Sequence, residues 1–247
     1  MILIAAVSFA RAAPSTTQAA IPATVPATQP SAELRHWFDQ LADSDPAVRE
    51  AARINLMGLK RDQLDQLKQL VMNDRPLAPS QAGVLHEIVI HVFLTGETYR
   101  VFPGASVIGV RLVESASSPV IGAPGDGTSQ TCVVVEQRFP GFPAYRYLQD
   151  GDLLLGVKTS DLVRTSPIVA TPDFETFRRL VSVKSPGDIL TLQLLRRGRV
   201  IEFSFPVEAT PLDSAGANAN AFFDARSNKA DDYWKETFVP LLGIPIS

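Results

Sequence analysis

Hydrophobic residues follow a helical period in the first half of the chain and a strand period in the second. One face of a helix is marked, at spacings of i, i+3, i+4 and i+7, by Leu34, Trp37, Phe38 and Leu41. Later, short apolar runs bounded by turn-forming residues indicate buried strands, at Cys132 to Val135 and at Leu153 to Val157. The pattern therefore predicts an α+β chain with its helices first.

Four helices are predicted between residues 31 and 96, and residues 96–103 are expected to be a connector. Asp45 followed by Pro46 is typical of an N-cap and a first-turn proline. Asp62 is the predicted cap of the third helix, and Ser80 that of a fourth helix running over residues 81–94. The fourth helix is apolar over most of its circumference, so we expect it to be the central one.

The segment LADSDPAVREAARINLMGL, residues 41–59, resembles a HEAT-type helical repeat. Only one repeat is clear, whereas an independent solenoid usually needs at least about three. We therefore expect a HEAT-like helical cap that packs on the rest of the chain. A repeat-derived binding surface is the alternative.

The stretch CVVVEQRFPGFPAYRYLQDGDLLLGV, residues 132–157, is predicted to form a strand, a compact loop or short helix, a tight turn and a second strand. Asp150-Gly151 is the expected turn, because glycine accepts positive φ and aspartate bonds its own downstream backbone.

This stretch resembles the centre of a PDZ domain of the bacterial periplasmic HtrA-type proteases. Residues 140–144, PGFPA, stand where that family has "pGSPA", and residues 147–152, YLQDGD, stand where it has "GLxxGD". Phe142 replaces a small serine and Tyr147 replaces a glycine. The ending "pGDxxxLxxxRxGRxxxFxxxV", from Pro186 to Val207, resembles the last hairpin of the same domains. The resemblance covers about residues 105–207 and implies a PDZ-like, partly open β-barrel or sandwich with two short helices over 100–208.

The resemblance also implies a peptide-binding groove. An apolar-Gly-apolar loop before the second strand would turn its amides toward a peptide's terminal carboxylate. The strand from Val110 to Val113 would be the exposed edge, and a helix capped by Asp173 the second wall. The candidate peptide-binding residues are Val107, Ile108, Gly109, Val110, Arg111, Leu112, Phe174, Phe177, Arg178 and Val181. For Phe177 a core position is an equal alternative. The Ser, Gly and Pro-rich segment 114–131 is expected to be a loop long enough to reach over the groove.

The N-terminus predicts export. Residues 1–12, MILIAAVSFARA, have the apolar run and small cleavage-site residues of a signal peptide, although no Lys or Arg precedes the run. A buried N-terminal strand is the alternative. Residues 13–30 are rich in Pro, Ala and Thr and are predicted to be an extended linker. We expect a periplasmic or otherwise extracytoplasmic protein that contacts a membrane only if the N-terminal segment is uncleaved.

Composition and spacing argue against several kinds of chemistry. The net charge of −3 provides no broad positive field for nucleic acid. Cys132, the single cysteine, is expected to be a buried free thiol. His86 and His91 are five residues apart, not the four of a zinc-protease helix, so we interpret them as ordinary residues on the less buried rim of their helix. No metal site and no cofactor motif is predicted.

The last 39 residues, 209–247, are predicted to be a linker up to residue 220 followed by a short docking helix. The aromatic and apolar residues that need cover there are Tyr233, Trp234, Phe238, Leu241 and Leu242. The alternative is that this C-terminal segment lies in the PDZ groove of its own or a neighbouring chain. The arginines of residues 196–199 are interpreted as solvated residues of a hairpin turn, with contact to an acidic partner as the alternative.

Catalytic motifs are not found. There is no Gly-Asn-Ser-Gly-Gly segment, no Gly-x-Ser-x-Gly elbow and no dinucleotide fingerprint. The sequence therefore predicts a non-enzymatic adaptor that binds peptide segments or protein C-termini by β-strand addition. The alternatives are a structural module with an occluded groove that contacts partners through its helical face, and an accessory factor that delivers substrates to a periplasmic protease.

Overall fold

The computed structural model describes residues 29–115, 132–158, 168–170, 173–214 and 219–242, with 168–170 described by their backbone alone. The predicted signal peptide, most of the predicted linker and residues 116–131 of the predicted loop 114–131 lie outside the described residues. The first two residues of that predicted loop, Glu114 and Ser115, belong to a strand instead.

Helix α4, Pro79–Leu94, is the centre of the helical half. Around it lie α1, Ala32–Gln40, α2, Pro46–Leu56, a 3-10 turn at Arg61–Gln63, and α3, Leu64–Asn73. The predicted central helix is confirmed, since α4 buries Leu85, Ile88, Val89, Val92, Phe93 and Leu94.

Two predicted helix starts are wrong. Asp62 lies inside the 3-10 turn, where the Gln63 side chain accepts a hydrogen bond from the Lys60 amide, and α3 begins only at Leu64. Helix α4 begins at Pro79 rather than after Ser80, because Pro79 has the preset φ of a first-turn residue. The Gln81 side chain accepts from the Ala78 amide and closes this start. The Asp45 cap of α2 is confirmed, with its side chain accepting from the Ala47 amide.

The second half of the chain contains the strands. A ribbon joins β1, Val101–Val107, to β8, Glu208–Pro211. The main sheet has the order β2-β3-β4-β6-β7, and β5 pairs with β4. Its strands are β2, Val110–Ser115, β3, Cys132–Arg138, β4, Leu153–Lys158, β5, Ile168–Ala170, β6, Ile189–Arg196, and β7, Arg199–Pro206. All pairings between the described strands are antiparallel. Helix α5, Pro143–Tyr147, joins β3 to β4, and α6, Phe174–Ser182, precedes β6.

The ribbon corrects two predictions. Residues 96–103 were expected to connect the two halves, and residues 209–220 to be a linker. Instead Val101 pairs with Pro211 and Ser106 with Ala209. These segments are polar or proline-containing, so each looks like a loop alone, and only the pairing between them makes both extended.

A 19-residue helix, α7, Ala219–Thr237, follows the ribbon and leads to the short α8, Val239–Leu242. It is longer than the short helix predicted. Its second half lies on α4, where Tyr233 stacks on Phe93 with ring centroids 4.2 Å apart, and Phe238, between α7 and α8, is fully buried. Its first half reaches the strand-rich half, where Phe223 stacks on Phe139 at 3.9 Å.

Two apolar cores result, one helical and one between the sheet, α5 and α6. This arrangement confirms the α+β class. Across the part of the chain that the structure describes, no helix is long and apolar enough to cross a membrane.

Candidate functional site

Strand β2 is an edge of the main sheet. Among the described residues it pairs only with β3, and α6 lies beside its other edge. Residue Val110 is opposite Arg138 in the register, and the flanking Phe139 amide donates to the Gly109 carbonyl at 2.9 Å. Val110 and Arg138 are therefore a non-hydrogen-bonded pair, in which the amide and carbonyl of Val110 face away from β3. These two groups lie at the free edge.

The loop that precedes β2 presents amides in the same direction. The Ile108 carbonyl accepts from the Ala144 amide at 3.1 Å, and the Gly109 carbonyl accepts from Phe139. In a trans peptide unit the N–H is antiparallel to the C=O, so the amides of Gly109 and Val110 are directed away from residues 139–144. Among the described residues, neither the Ile108 nor the Gly109 amide donates a hydrogen bond. Gly109 has φ +76°, which glycine adopts readily.

Helix α6 forms the wall opposite β2, and its two ends are tied to the strands. Asp173 caps it by accepting from the Thr176 amide at 2.6 Å, as the sequence predicted. At its carboxyl end the Ser106 hydroxyl donates to the Val181 carbonyl at 3.2 Å. At its amino end the Phe174 amide donates to the Glu114 carboxylate of β2 at 2.8 Å. Helix α6 is thus held at both ends, and we call the region between it and β2 the groove.

Most of the predicted site residues meet at this groove. Ile108, Phe177 and Val181 are buried in the sheet core, while Val110 and Leu112 pack against that core. Val107 ends β1 next to the loop and is half-buried. Phe177 is 4% exposed and is therefore a core residue, which was the alternative to a peptide-binding role for it. Phe174 is 36% exposed at the amino end of α6.

Two predicted site residues point elsewhere. Arg111 is exposed, donates to the Asn220 side chain of α7 at 3.0 Å and lies over the Phe139 ring. Arg178 pairs with Glu175 along the exposed face of α6 at 2.8 Å. The alternation of side chains along β2 and their period around α6 place both arginine side chains outside the groove. Neither therefore lies among the apolar residues of the groove.

Aromatic residues that were not predicted as site residues pack behind the loop. A Cβ on Gly109 would lie 2.1 Å from the Phe142 Cβ, so the two residues are in close contact. The Phe142 ring meets Phe223 of α7 edge-on and has the Arg226 guanidinium 4.6 Å from its centroid. The signal was present in the sequence, because a phenylalanine that replaces a small serine needs apolar cover.

His91 is buried where the two halves meet, so its interpretation as a rim residue is wrong. It is 4% exposed, its Nδ1 accepts from the Gly141 amide at 3.0 Å, and it stacks on Tyr145 at 5.2 Å. Burial, followed by the nearby arginine charges, lowers its pKa from 6.5 to about 3. The ring is therefore neutral and accepts a hydrogen bond at Nδ1.

Charged pairs also join the two halves. Arg138 Nη1 lies 2.8 Å from Glu87 Oε1 of α4, a charge contact rather than a well-directed hydrogen bond, since that oxygen has no partner of hydrogen-bond geometry. The Arg146 side chain donates to the Ile54 carbonyl at 2.6 Å. These polar contacts join α2 and α4 to the strand-rich half, and we call them the polar seam.

The interpretation of residues 196–199 as solvated turn residues is wrong for Arg196, whose partners are acidic residues of the same chain. Its guanidinium donates to both carboxylate oxygens of Asp152 at 2.8 and 2.6 Å and reaches Glu50 of α2 at 3.4 Å. Asp152 is 2% exposed. Arg196 is the last residue of β6, and strand pairing carries it back beside the Asp150-Gly151 turn.

Other chemistry at the described residues is limited. Cys132 is a buried free thiol, as predicted. Within the described ranges, no group of three or more His, Cys, Asp or Glu could hold a metal ion.

No family model matches this chain, and no curated protein matches it. Solved structures similar to it include the HtrA-type protease AlgW with tripeptide, at 20% identity and a TM-score of 0.33, covering 45% of this chain and 34% of that one. An AlgW variant with decapeptide is similar at 20% identity and a TM-score of 0.34, covering 55% of this chain and 37% of that one. This chain thus spans little more than a third of those proteins.

Proposed function

We propose that this protein is a non-catalytic adaptor that binds the end of an extended polypeptide in the groove between β2 and α6. The observation that carries the proposal is the orientation of Val110, whose amide and carbonyl face the free edge because Phe139 bonds the preceding carbonyl. A peptide strand laid along that edge would pair with these groups and extend the sheet.

The loop supports recognition of a free carboxylate. The carbonyls of Ile108 and Gly109 are held by Ala144 and Phe139, so the neighbouring amides converge on the groove end of the loop. Successive amides of this kind form a concave anion site without any charged side chain. We therefore expect the terminal carboxylate of the ligand at this end, next to the carboxyl end of α6.

The groove floor supports selection of apolar side chains. Val110 and Leu112 of β2 pack against the apolar core that contains Phe177 and Val181 of α6. Because alternate residues of an added strand point the same way, one apolar residue in two would face this floor. The contact area is small, so a single site should bind at about micromolar affinity.

The cellular setting belongs to the same proposal. The N-terminal sequence, with its apolar run and small residues, supports export to the periplasm or another extracytoplasmic space. An exported adaptor would gain useful occupancy from tethering or from several weak sites.

The decisive experiment is a titration of the purified protein with C-terminal peptides in free and amidated form. We expect the free carboxylates to bind more tightly by about tenfold or more, since the amide loses the anion contact. Methylation of the peptide backbone nitrogens, one at a time, should weaken binding at every second position only. Equal binding of free and amidated peptides would contradict the carboxylate site. Binding that tolerates N-methylation equally at every position would contradict strand addition.

Neighbouring residues of β2 offer a matched pair of variants. Leu112→Gln places a polar group on the groove side, whereas Val113→Gln changes a side chain that is 38% exposed. We expect the first to weaken peptide binding by about tenfold and the second to leave it within about twofold. Equal effects of the two variants would argue against the groove as the binding surface.

The second candidate function is a structural module whose groove stays closed. The bond from the Phe174 amide to Glu114 favours it, because this bond spans the groove at the amino end of α6. A Glu114→Ala variant separates the two functions. It should bind peptides where the unaltered protein does not, if the groove is closed in the resting molecule. A Glu175→Ala variant on the same helix, which leaves the bridge in place, is the control.

A further inference from the structure

A second cavity lies away from the groove, where the connector after α4 meets α7. Its volume is about 580 Å³, and its wall includes Arg61, Glu97, Tyr99, Phe222, Arg226 and Lys229. This volume is within the range of about 300 to 1,000 Å³ typical of small-molecule sites. Neither the peptide groove nor the polar seam uses it.

The charges on its wall are unbalanced. Three cations, Arg61, Arg226 and Lys229, face one acidic residue, Glu97. The whole chain carries a formal net charge of −3, so this local excess of positive charge opposes the overall balance. A concave surface with an excess of one charge sign concentrates ligands of the opposite sign.

Glu97 is fully engaged within the protein. Its Oε1 accepts from Lys229 at 2.5 Å, and its Oε2 accepts from the Tyr99 hydroxyl at 2.5 Å and from Arg226 at 3.2 Å. Burial alone would raise the pKa of Glu97, but these hydrogen bonds outweigh it and hold the pKa below its ordinary value. Glu97 is thus a fixed anion that offsets only part of the positive charge.

Arg61 has donors to spare. Its guanidinium lies over the Phe93 ring, 4.1 Å from the centroid, and among the described residues it has no ion-pair partner. Stacking uses the face of the guanidinium and leaves its in-plane N–H groups for a ligand. Lys229 is 55% exposed and carries two further donors beyond its bond to Glu97.

Aromatic rings supply an apolar wall beside these donors. Tyr99 and Phe222 meet edge-on with centroids 5.7 Å apart, and the Arg226 guanidinium packs against both rings. A ligand here would meet an aromatic surface and a cationic one at the same time.

We propose that this cavity binds a small molecule that joins an oxyanion, carboxylate or phosphate, to an aromatic or apolar ring. The oxyanion contacts Arg61 and Lys229, and the ring packs against Tyr99 and Phe222. The site is independent of peptide binding in the groove.

The experiment is a titration at low ionic strength, followed by NMR or calorimetry, with four probes: benzoate, phenyl phosphate, inorganic phosphate and benzyl alcohol. We expect saturable binding of the first two and binding weaker by about tenfold for the ring-free and the uncharged probes. The ratio of benzoate to phenyl phosphate identifies the preferred oxyanion. Absence of saturable binding of both up to about 10 mM would overturn the proposal.

Variants locate the site. Arg61→Gln and Lys229→Gln change exposed side chains and should leave the fold intact. Each should weaken benzoate binding by about tenfold, whereas Arg178→Gln on α6 should not alter it. Unchanged binding in the Arg61→Gln/Lys229→Gln double variant would place the ligand elsewhere and would contradict the proposal.

Discussion

His91 couples the stability of the folded chain to pH. Its pKa is about 3 in the folded protein and 6.5 in its ordinary state, so the unfolded chain binds more protons between these two values. The free energy of unfolding should therefore fall as the pH drops below about 6.5, by at most about 1.4 kcal/mol per pH unit, with no further loss from this group below about 3. Urea unfolding at several pH values measures this slope.

The variant His91→Asn keeps an acceptor for the Gly141 amide but removes the titrating ring. We expect a flatter dependence of stability on pH in this variant. His36→Asn, which changes an exposed histidine of α1, is the control and should keep the original slope. A slope unchanged by His91→Asn would show that other groups produce the acid sensitivity.

Gly109 is the residue at which the loop is least tolerant of a side chain. An alanine there would combine a positive φ, which costs about 1 to 2 kcal/mol, with a Cβ 2.1 Å from that of Phe142. Gly104 has nearly the same φ, +75°, and open space around it, so Gly104→Ala isolates the backbone cost. We expect Gly109→Ala to destabilise the protein by at least about 2 kcal/mol more than Gly104→Ala. Equal costs in urea unfolding would mean that Phe142 yields easily and that the loop is not held by it.

At the scale of elements, the length of β2 would limit the length of peptide that pairs with it, if the groove binds peptides as proposed. From Val110 to Glu114 the strand rises by about 13 Å, at about 3.3 Å per residue. Glu114 then bridges to the Phe174 amide. We expect peptide affinity to increase up to about four C-terminal residues and to change little beyond. Glu114→Ala should move this plateau to longer peptides, and a continued gain with length in the unaltered protein would contradict the role given to the bridge.

Local patterns predicted the elements that carry their own signals. The cap at Asp173, the hairpin of β6 and β7 and the apolar α4 all rest on residues close in sequence, and each is present. The β1 and β8 ribbon was missed because its two strands are about 100 residues apart and neither alternates clearly. Strand pairing of that kind is a tertiary effect that a local pattern does not contain.

The candidate site was predictable to a similar degree. The resemblance to PDZ domains indicated the loop at Gly109 and the edge at Val110, and the structure places both beside α6. Side-chain direction was the weaker part, since Arg111 and Arg178 leave the groove. Partners such as Glu50 for Arg196 come from residues 146 positions away, so the role of that arginine could not be derived from the turn sequence around it.

At the scale of the whole molecule, the two halves should unfold together. They share α7, the His91 contact and the ion pair of Arg138 with Glu87. Both tryptophans, Trp37 and Trp234, lie on helices, whereas the single cysteine, Cys132, is buried in β3. Tryptophan fluorescence and thiol reactivity therefore report on different halves.

We expect the urea transitions seen by these two probes to coincide, as for a single cooperative unit. Phe223→Ala, which removes the stacking on Phe139, should lower the midpoint for both probes and bring the loss of thiol protection ahead of the fluorescence change. Phe222→Ala on the same helix is the comparison, since its ring meets Tyr99 and Phe223 edge-on and leaves the stacking of Phe223 on Phe139 in place. Well-separated transitions in the unaltered protein would show that the halves are joined only loosely.

The position of α7 in the chain has a consequence for how the protein comes to be made. About 80 residues separate Phe142 from the ring of Phe223 that covers it, which at about 5 to 20 residues per second is roughly 4 to 16 s of synthesis. Throughout that interval Phe139 and Phe142 lack the Phe223 ring that packs against both of them in the folded chain. Chaperones could bind these exposed rings during synthesis, but only until α7 has been made and packs against them.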